Sequence, residues 1–139
     1  MATPVSERLR EAMNEHDIDA FVGCFTPDYR SEQPAHPNRA FGGRDQVRTN
    51  WSAIFREIPD VQGKLIRSVA SEGEEWGEWT ISGTRRDGSW MEMRGVIING
   101  IREERIAWAR LYLELLEEGG AGIDAAINRV TRDDRPAGG

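Results

Sequence analysis

His36, Glu78 and Arg110 are the side chains whose types and settings best suit chemistry. His36 sits in Gln33-Pro34-Ala35-His36-Pro37, a loop braced by two prolines. An imidazole is the side chain whose unperturbed pKa lies near neutrality, which makes His36 the candidate for proton transfer. The plainer alternative is a loop histidine bonded to backbone. Arg110 lies between Trp108 and Tyr112 at period two, so on a strand the three share a face. A guanidinium is a fixed cation with a planar fork of donors. It can grip a carboxylate or an enolate but cannot act as a base, and it can equally be one half of a structural ion pair. Glu78, mid-strand in Gly77-Glu78-Trp79, is the natural partner, facing Arg94 or Arg110. A carboxylate between two guanidiniums stays ionised, which suits orientation or electrostatics more than acid catalysis.

Other polar and aromatic groups fall into weaker patterns. Tyr29, Ser31 and Gln33 alternate along an extended segment and are expected to offer hydrogen-bonding groups to a pocket. Trp51, Trp79 and Trp108 make an aromatic wall for a flat ligand, or ordinary core. Asn50, next to Trp51 on a helix, points about 100° away from it and is expected to be half exposed. His16, at a charged helix end, is expected to face solvent. Cys24 has no basic neighbour in sequence to make it a thiolate and reads as core filling. With one cysteine and two histidines, neither an internal disulfide nor a zinc-spaced cluster is available, so no metal and no cofactor are expected.

The 139 residues suit one domain with one core. Net charge is −6, from 18 basic and 24 acidic residues, and the arginines are dispersed. That argues against a nucleic-acid partner held by phosphate neutralisation. No apolar run approaches the roughly 20 residues that cross a bilayer. The start, MATPVSERLREAMNEH, is charged and helical and lacks the apolar stretch of a signal peptide, so a cytoplasmic protein is expected.

These groups need elements to position them. Thr3-Pro4 opens a helix, with Val5, Leu9, Ala12 and Met13 at helical spacing. Asp17 caps a second short helix whose stripe is Ile18, Phe21, Val22 and Phe25, ended by Pro27-Asp28. Tyr29–Gln33 is extended, and Pro34, Pro37, Gly42 and Gly43 mark a loop. A third helix over 44–57 carries Val47, Trp51, Ile54 and Phe55. Four strands follow, over 61–72, 76–84, 90–98 and 105–115. Their turns fall at Gly73-Glu74, Arg86-Asp87-Gly88 and Asn99-Gly100. A two-residue Asp87-Gly88 turn puts Arg94 on the face of Trp79 and Ile81. A three-residue Arg86-Asp87-Gly88 turn puts it on the face of Glu78 and Thr80, because a one-residue slip exchanges faces. Glu78 is read as inward. Ile123, Ala126, Ile127 and Val130 suggest one more short helix.

Helices followed by a hairpin-linked antiparallel sheet make an α+β order, and a curved sheet with helices across it leaves a cone. A cone mouth is a natural site for a small-molecule ligand. The expected layout is a cone domain over 1–118, a short C-terminal helix over 119–132 packed on it, and a disordered tail over 133–139. Both faces of the third strand carry apolar groups: Met91, Met93 and Ile97 on one, Trp90, Val96 and Ile98 on the other. The face away from the helices is therefore expected to be covered by a second copy, giving a homodimer through the sheet.

Several segments resemble the SnoaL-like, nuclear-transport-factor-2-like family. Asn14-Glu15-His16-Asp17-Ile18-Asp19-Ala20-Phe21 and Phe25-Thr26-Pro27-Asp28-Tyr29 are similar to its opening, and Phe41-Gly42-Gly43-Arg44-Asp45-Gln46-Val47 to its loop before the third helix. Gly83-Thr84-Arg85-Arg86-Asp87-Gly88, Met93-Arg94-Gly95-Val96 and Ile106-Ala107-Trp108-Ala109-Arg110-Leu111-Tyr112 resemble its sheet. The resemblance covers roughly residues 5 to 116 and implies the cone fold, with three N-terminal helices and Trp108, hence Arg110, facing inward. The family holds polyketide cyclases, ketosteroid isomerases, limonene-epoxide hydrolases, dehydratases and non-catalytic binding or association domains. Its catalytic sets are absent here. Arg110 stands where the cyclases and epoxide hydrolases carry Asp. Gln33, not Asp, precedes Pro34 where the isomerases place their base, and Leu9 and Arg94 fall where those enzymes place their oxyanion donors. Two readings follow. One is a cofactor-independent enzyme acting on a small carbonyl- or enolate-bearing molecule, in which His36 moves the proton, Arg110 with Arg94 steadies negative charge and Glu78 orients them. The other is a non-catalytic metabolite-binding or association domain with a structural Arg–Glu pair.

Overall fold

The computed structural model describes residues 3–132. Its helices are α1 (Val5–Asn14), α2 (Ile18–Gly23), α3 (Arg44–Glu57) and α4 (Ile123–Thr131), and its strands β1 (Phe25–Glu32), β2 (Phe41–Gly42), β3 (Gln62–Ser71), β4 (Glu74–Thr84), β5 (Trp90–Arg102) and β6 (Arg105–Leu115). The strands form one curved sheet in the order β2-β1-β6-β5-β4-β3. Every pairing is antiparallel except β1 with β6, which is parallel. The long connection between those two strands permits this, where a hairpin would not. Helices α1 to α3 cover the inner face and close a cone, the expected α+β architecture. No helix among the described residues is long and apolar enough to cross a membrane.

Helix α1 buries Val5, Leu9, Ala12 and Met13 on one stripe. The Thr3 hydroxyl does not cap it. The Glu75 carboxylate on β4 accepts instead from the Val5 and Ser6 amides at 3.0 and 2.8 Å and from the Ser6 hydroxyl at 2.7 Å. An anion at a helix N-terminus satisfies orphan amides and meets the positive end of the helix dipole. Asp17 caps α2 by accepting from the Ala20 amide at 3.0 Å. That helix stops at Gly23, and Phe25 opens β1. Pro27 is tolerated in β1 because the β6 pairing shifts between Phe25 and Arg30, where no ladder amide is needed.

The turns decide which side chains face the cone. Between β4 and β5, Thr84 pairs with Trp90 and the Arg85 amide donates to the Ser89 carbonyl, which leaves the three-residue loop Arg86-Asp87-Gly88. Arg94 therefore shares a face with Glu78 and Thr80. Between β5 and β6, Asn99-Gly100 is not a turn. The strand runs on to Arg102, and Glu103-Glu104 turn with φ of 51° and 61°. Continuing the strand pairs Ile101 with the fully buried Ile106, which outweighs the local preference of Asn-Gly for a turn. The register then shifts between Gly100 and Ile101, so Ala107 is an extra residue on β6. Such a bulge reverses the alternation that follows it. Ile106 and Ala109 both face the cone, while Trp108, Arg110 and Tyr112 face away.

Helix α4 forms where a helix was expected, but none of its residues is buried, and Ile123, Ile127 and Val130 stand exposed rather than packed on the cone. The tail over 133–139 lies outside the described residues. His16 does not face solvent: it is half-buried, stacks on Phe55 at 5.2 Å, and its Nε2 lies 2.7 Å from the Val61 carbonyl.

Candidate functional site

The cone encloses a cavity of about 530 Å³. Its wall comes from the inner faces of β1, β4, β5 and β6 and from α1 and α3. Trp51, Ile54, Trp79, Ile81, Met91, Met93, Ile97, Leu111 and Leu113 make most of it apolar. Besides Asn50 on α3, polar side chains reach it at depth and at the mouth. At depth, Ser31, Ala109 and Asn99 lie side by side across three strands, since Ala109 pairs with Ser31 on one side and Asn99 on the other. Tyr29 stands two residues from Ser31 on the same face. These side chains are almost fully enclosed: Asn99 is 2 % exposed, Ser31 3 % and Tyr29 4 %. Burial pushes the Tyr29 hydroxyl up to about 12, against a smaller opposing effect of the Ser31 hydroxyl, so it stays protonated at neutral pH. At the mouth, Gln33, Arg39 and Glu114 line the rim, and Arg39 donates to the Gln33 side-chain oxygen at 3.0 Å.

The residues picked from sequence divide by strand parity. Tyr29, Ser31, Gln33, Trp51 and Trp79 line the cavity. Trp51 is fixed by Phe21, whose ring lies 4.5 Å away, and by Phe55 at 5.7 Å. Trp108, Arg110 and Tyr112 do not line it. The Ala107 bulge turns all three outward, and the Trp108 indole lies over Gly100, where a Cβ would come within 2.0 Å of it. Glu78 and Arg94 also face out. No inward Glu78–Arg94–Arg110 cluster exists: Glu78 pairs with Arg67 at 2.9 Å, Arg94 with Glu92 at 2.6 Å, and Arg110 with Glu32 at 3.0 Å. Glu92 is held below the usual carboxylate range by the Trp90 indole N–H and then by Arg94. His36 sits beside the mouth, half-buried, with Nε2 2.6 Å from an oxygen of Glu114. Cys24 is buried and its thiol pushed up by desolvation, which fits core filling.

Asn99, Asn50, Arg39 and Glu114 line the cavity without having been singled out as site residues. Asn99 was hidden by the turn signal it forms with Gly100. Asn50 is half-buried, as expected, yet reaches the cavity beside Trp51. Glu114 became legible only once the end of β6 was seen to lie at the mouth. No group of three or more His, Cys, Asp or Glu among the described residues could hold a metal.

The sequence model of the SnoaL-like domain family matches residues 6–109. No curated protein matches the chain. Among solved structures, IdmH from Streptomyces antibioticus, a candidate polyketide cyclase, superposes with a TM-score of 0.68 at 18% identity, covering 79% of this chain and 89% of that one. RV0760c from Mycobacterium tuberculosis, solved in complex with estradiol-17β-hemisuccinate, gives 0.67 at 15% identity, covering 78% and 89%. A protein with a ketosteroid-isomerase-like fold from Catenulispora acidiphila, solved in complex with trimethylamine, gives 0.65 at 14% identity, covering 79% and 85%. At these identities the likeness is one of fold.

Proposed function

The chain belongs to the SnoaL-like domain family, and from that premise we propose that it binds one small, largely apolar molecule inside its cone. The reading rests on the cavity of about 530 Å³, whose wall is mostly apolar and whose charged lining residues are Arg39 and Glu114 at the mouth. That volume suits a drug-sized ligand. The fold-level relatives that carry an estradiol ester and trimethylamine in their structures are consistent with such a role. The test is titration with Nile red, a neutral apolar dye that brightens in apolar surroundings. One equivalent should bind. Leu111→Trp, which fills the cavity, should weaken binding at least tenfold while Arg110→Gln leaves it unchanged. Equal binding by both variants would place the dye elsewhere and end the proposal.

A second reading, proton transfer at the mouth, is favoured by the contact between His36 and Glu114. Glu114 lines the rim and His36 buttresses it. A carbonyl carried at the outer end of a bound molecule would meet this pair, with Arg39 as the nearby cation. Deuterium exchange of the α-protons of 1-tetralone, followed by NMR, should be accelerated by the protein and lost in Glu114→Gln. Exchange at the rate of buffer alone leaves binding as the whole function.

We also propose a homodimer through the outer face of the sheet. Val69, Trp76, Val96, Ile98, Trp108 and Tyr112 lie there together, and Val69, Trp76 and Tyr112 are 66 %, 45 % and 43 % exposed. Contiguous apolar groups of this kind mark contact surfaces. Sedimentation of a dilute monomer would rule the dimer out.

A further inference from the structure

We propose that the depth of the cone is a neutral hydrogen-bonding subsite, which selects a ligand carrying an uncharged oxygen function, a ketone or an alcohol, on its buried end. This rests on the reading of the cone as a ligand site and names the class of ligand. Two side chains of the wall carry the argument. The Trp79 indole N–H is buried and has no hydrogen-bond partner, and such groups in native proteins call for an explanation. The Asn99 side chain is 2 % exposed and lines the same cavity. Across the sheet from it lies Ser31, with Ala109 between them as the shared pairing partner. Two strand spacings separate Asn99 from Ser31, about 10 Å. Ala109 is the smallest chiral residue, so the floor between the two polar groups is open. An oxygen seated above Ala109 meets the Asn99 amide on one side and the Ser31 hydroxyl on the other. Tyr29, held protonated, adds a donor beside Ser31.

The subsite has no charge to offer an anion. The charged group next in the row is Glu75, paired with Asn99 in register and turned toward the first turn of α1. A ligand carboxylate at this depth would be desolvated, unpaired and close to another carboxylate. A neutral oxygen has none of these costs.

Isothermal titration with three probes of one skeleton, at pH 8, tests this: decalin, 2-decalone and decalin-2-carboxylate. The ketone should bind about tenfold more tightly than the hydrocarbon, which is what one net buried hydrogen bond contributes. The carboxylate should bind at least tenfold more weakly than the ketone. Asn99→Leu should erase the preference for the ketone and keep the hydrocarbon's affinity, which also shows that the variant is folded. Ser31→Ala should reduce the preference by a smaller factor. Hydrocarbon and ketone bound equally by the wild type, or an Asn99→Leu variant that keeps the preference, overturns the subsite while leaving the cone as an apolar binding site. A carboxylate bound as well as the ketone overturns it too. Failure of all three probes to bind overturns the subsite together with the ligand-binding reading.

Discussion

The two faces of the sheet are built from the same strands and do different work. The inner face is neutral: Trp79, Ile81, Met93, Ile97 and Leu111 form the wall, and its polar groups are uncharged apart from Glu75, which α1 claims. The outer face holds the ions: Arg67–Glu78, Arg94–Glu92 and Arg110–Glu32, interleaved with exposed aromatic and branched residues. Alternation along each strand assigns a residue to one face or the other, so a single extra residue moves charges between two environments. The cone interior is apolar because the bulge at Ala107 puts Arg110 outside it.

Breaking the inner wall should cost most. Trp79 is 1 % exposed, and Trp79→Ala should destabilise by about 3–5 kcal/mol. Trp90→Ala on the outer face, where the side chain is 55 % exposed, should change stability by less than about 1 kcal/mol. Urea unfolding of the two variants checks the contrast.

Tyr29 sharpens the same difference through pH. Its folded value of about 12 lies above the ordinary tyrosine value of about 10. The associated stability is complete below about pH 10 and lost as pH rises toward 12, a change on the order of 2–3 kcal/mol. Denaturant midpoints should fall across that window for the wild type, and by less for Tyr29→Phe, which has no proton to lose there.

Glu75 tests the one charge on the inner face. Glu75→Ala leaves two α1 amides and the Ser6 hydroxyl without a partner and should destabilise by about 1–3 kcal/mol in thermal melts. Smallest of all, Arg67→Gln and Arg110→Gln remove exposed ion pairs and should each shift stability by under about 1 kcal/mol, more at low salt than at high.

The elements and the family were legible in the sequence because periodicity and turn chemistry are local. Val5, Leu9, Ala12 and Met13 announce α1, and the Asp87-Gly88 pair marks the β4–β5 turn while leaving its length, two residues or three, open. The shared face of Tyr29 and Ser31 was legible because β1 keeps simple alternation through those positions. The candidate charged cluster was not legible, because its inward orientation depended on where β5 turns and on whether β6 holds its alternation. Asn99-Gly100 looks like a turn locally, and only the pairing of Ile101 with Ile106 overrides it. The carboxylate that caps α1 could not be found either, since Glu75 lies 70 residues from Val5 in the chain.

The central claim is that ligand enters the inner face and not the outer. Intermolecular NOEs from 2-decalone to methyl-labelled protein test it directly, because Ile97 and Ile98 are neighbours in sequence on opposite faces. NOEs should reach Ile97, Met93 and Leu111 and be absent from Val96 and Ile98. NOEs to Val96 and Ile98, with none to Ile97, would contradict it.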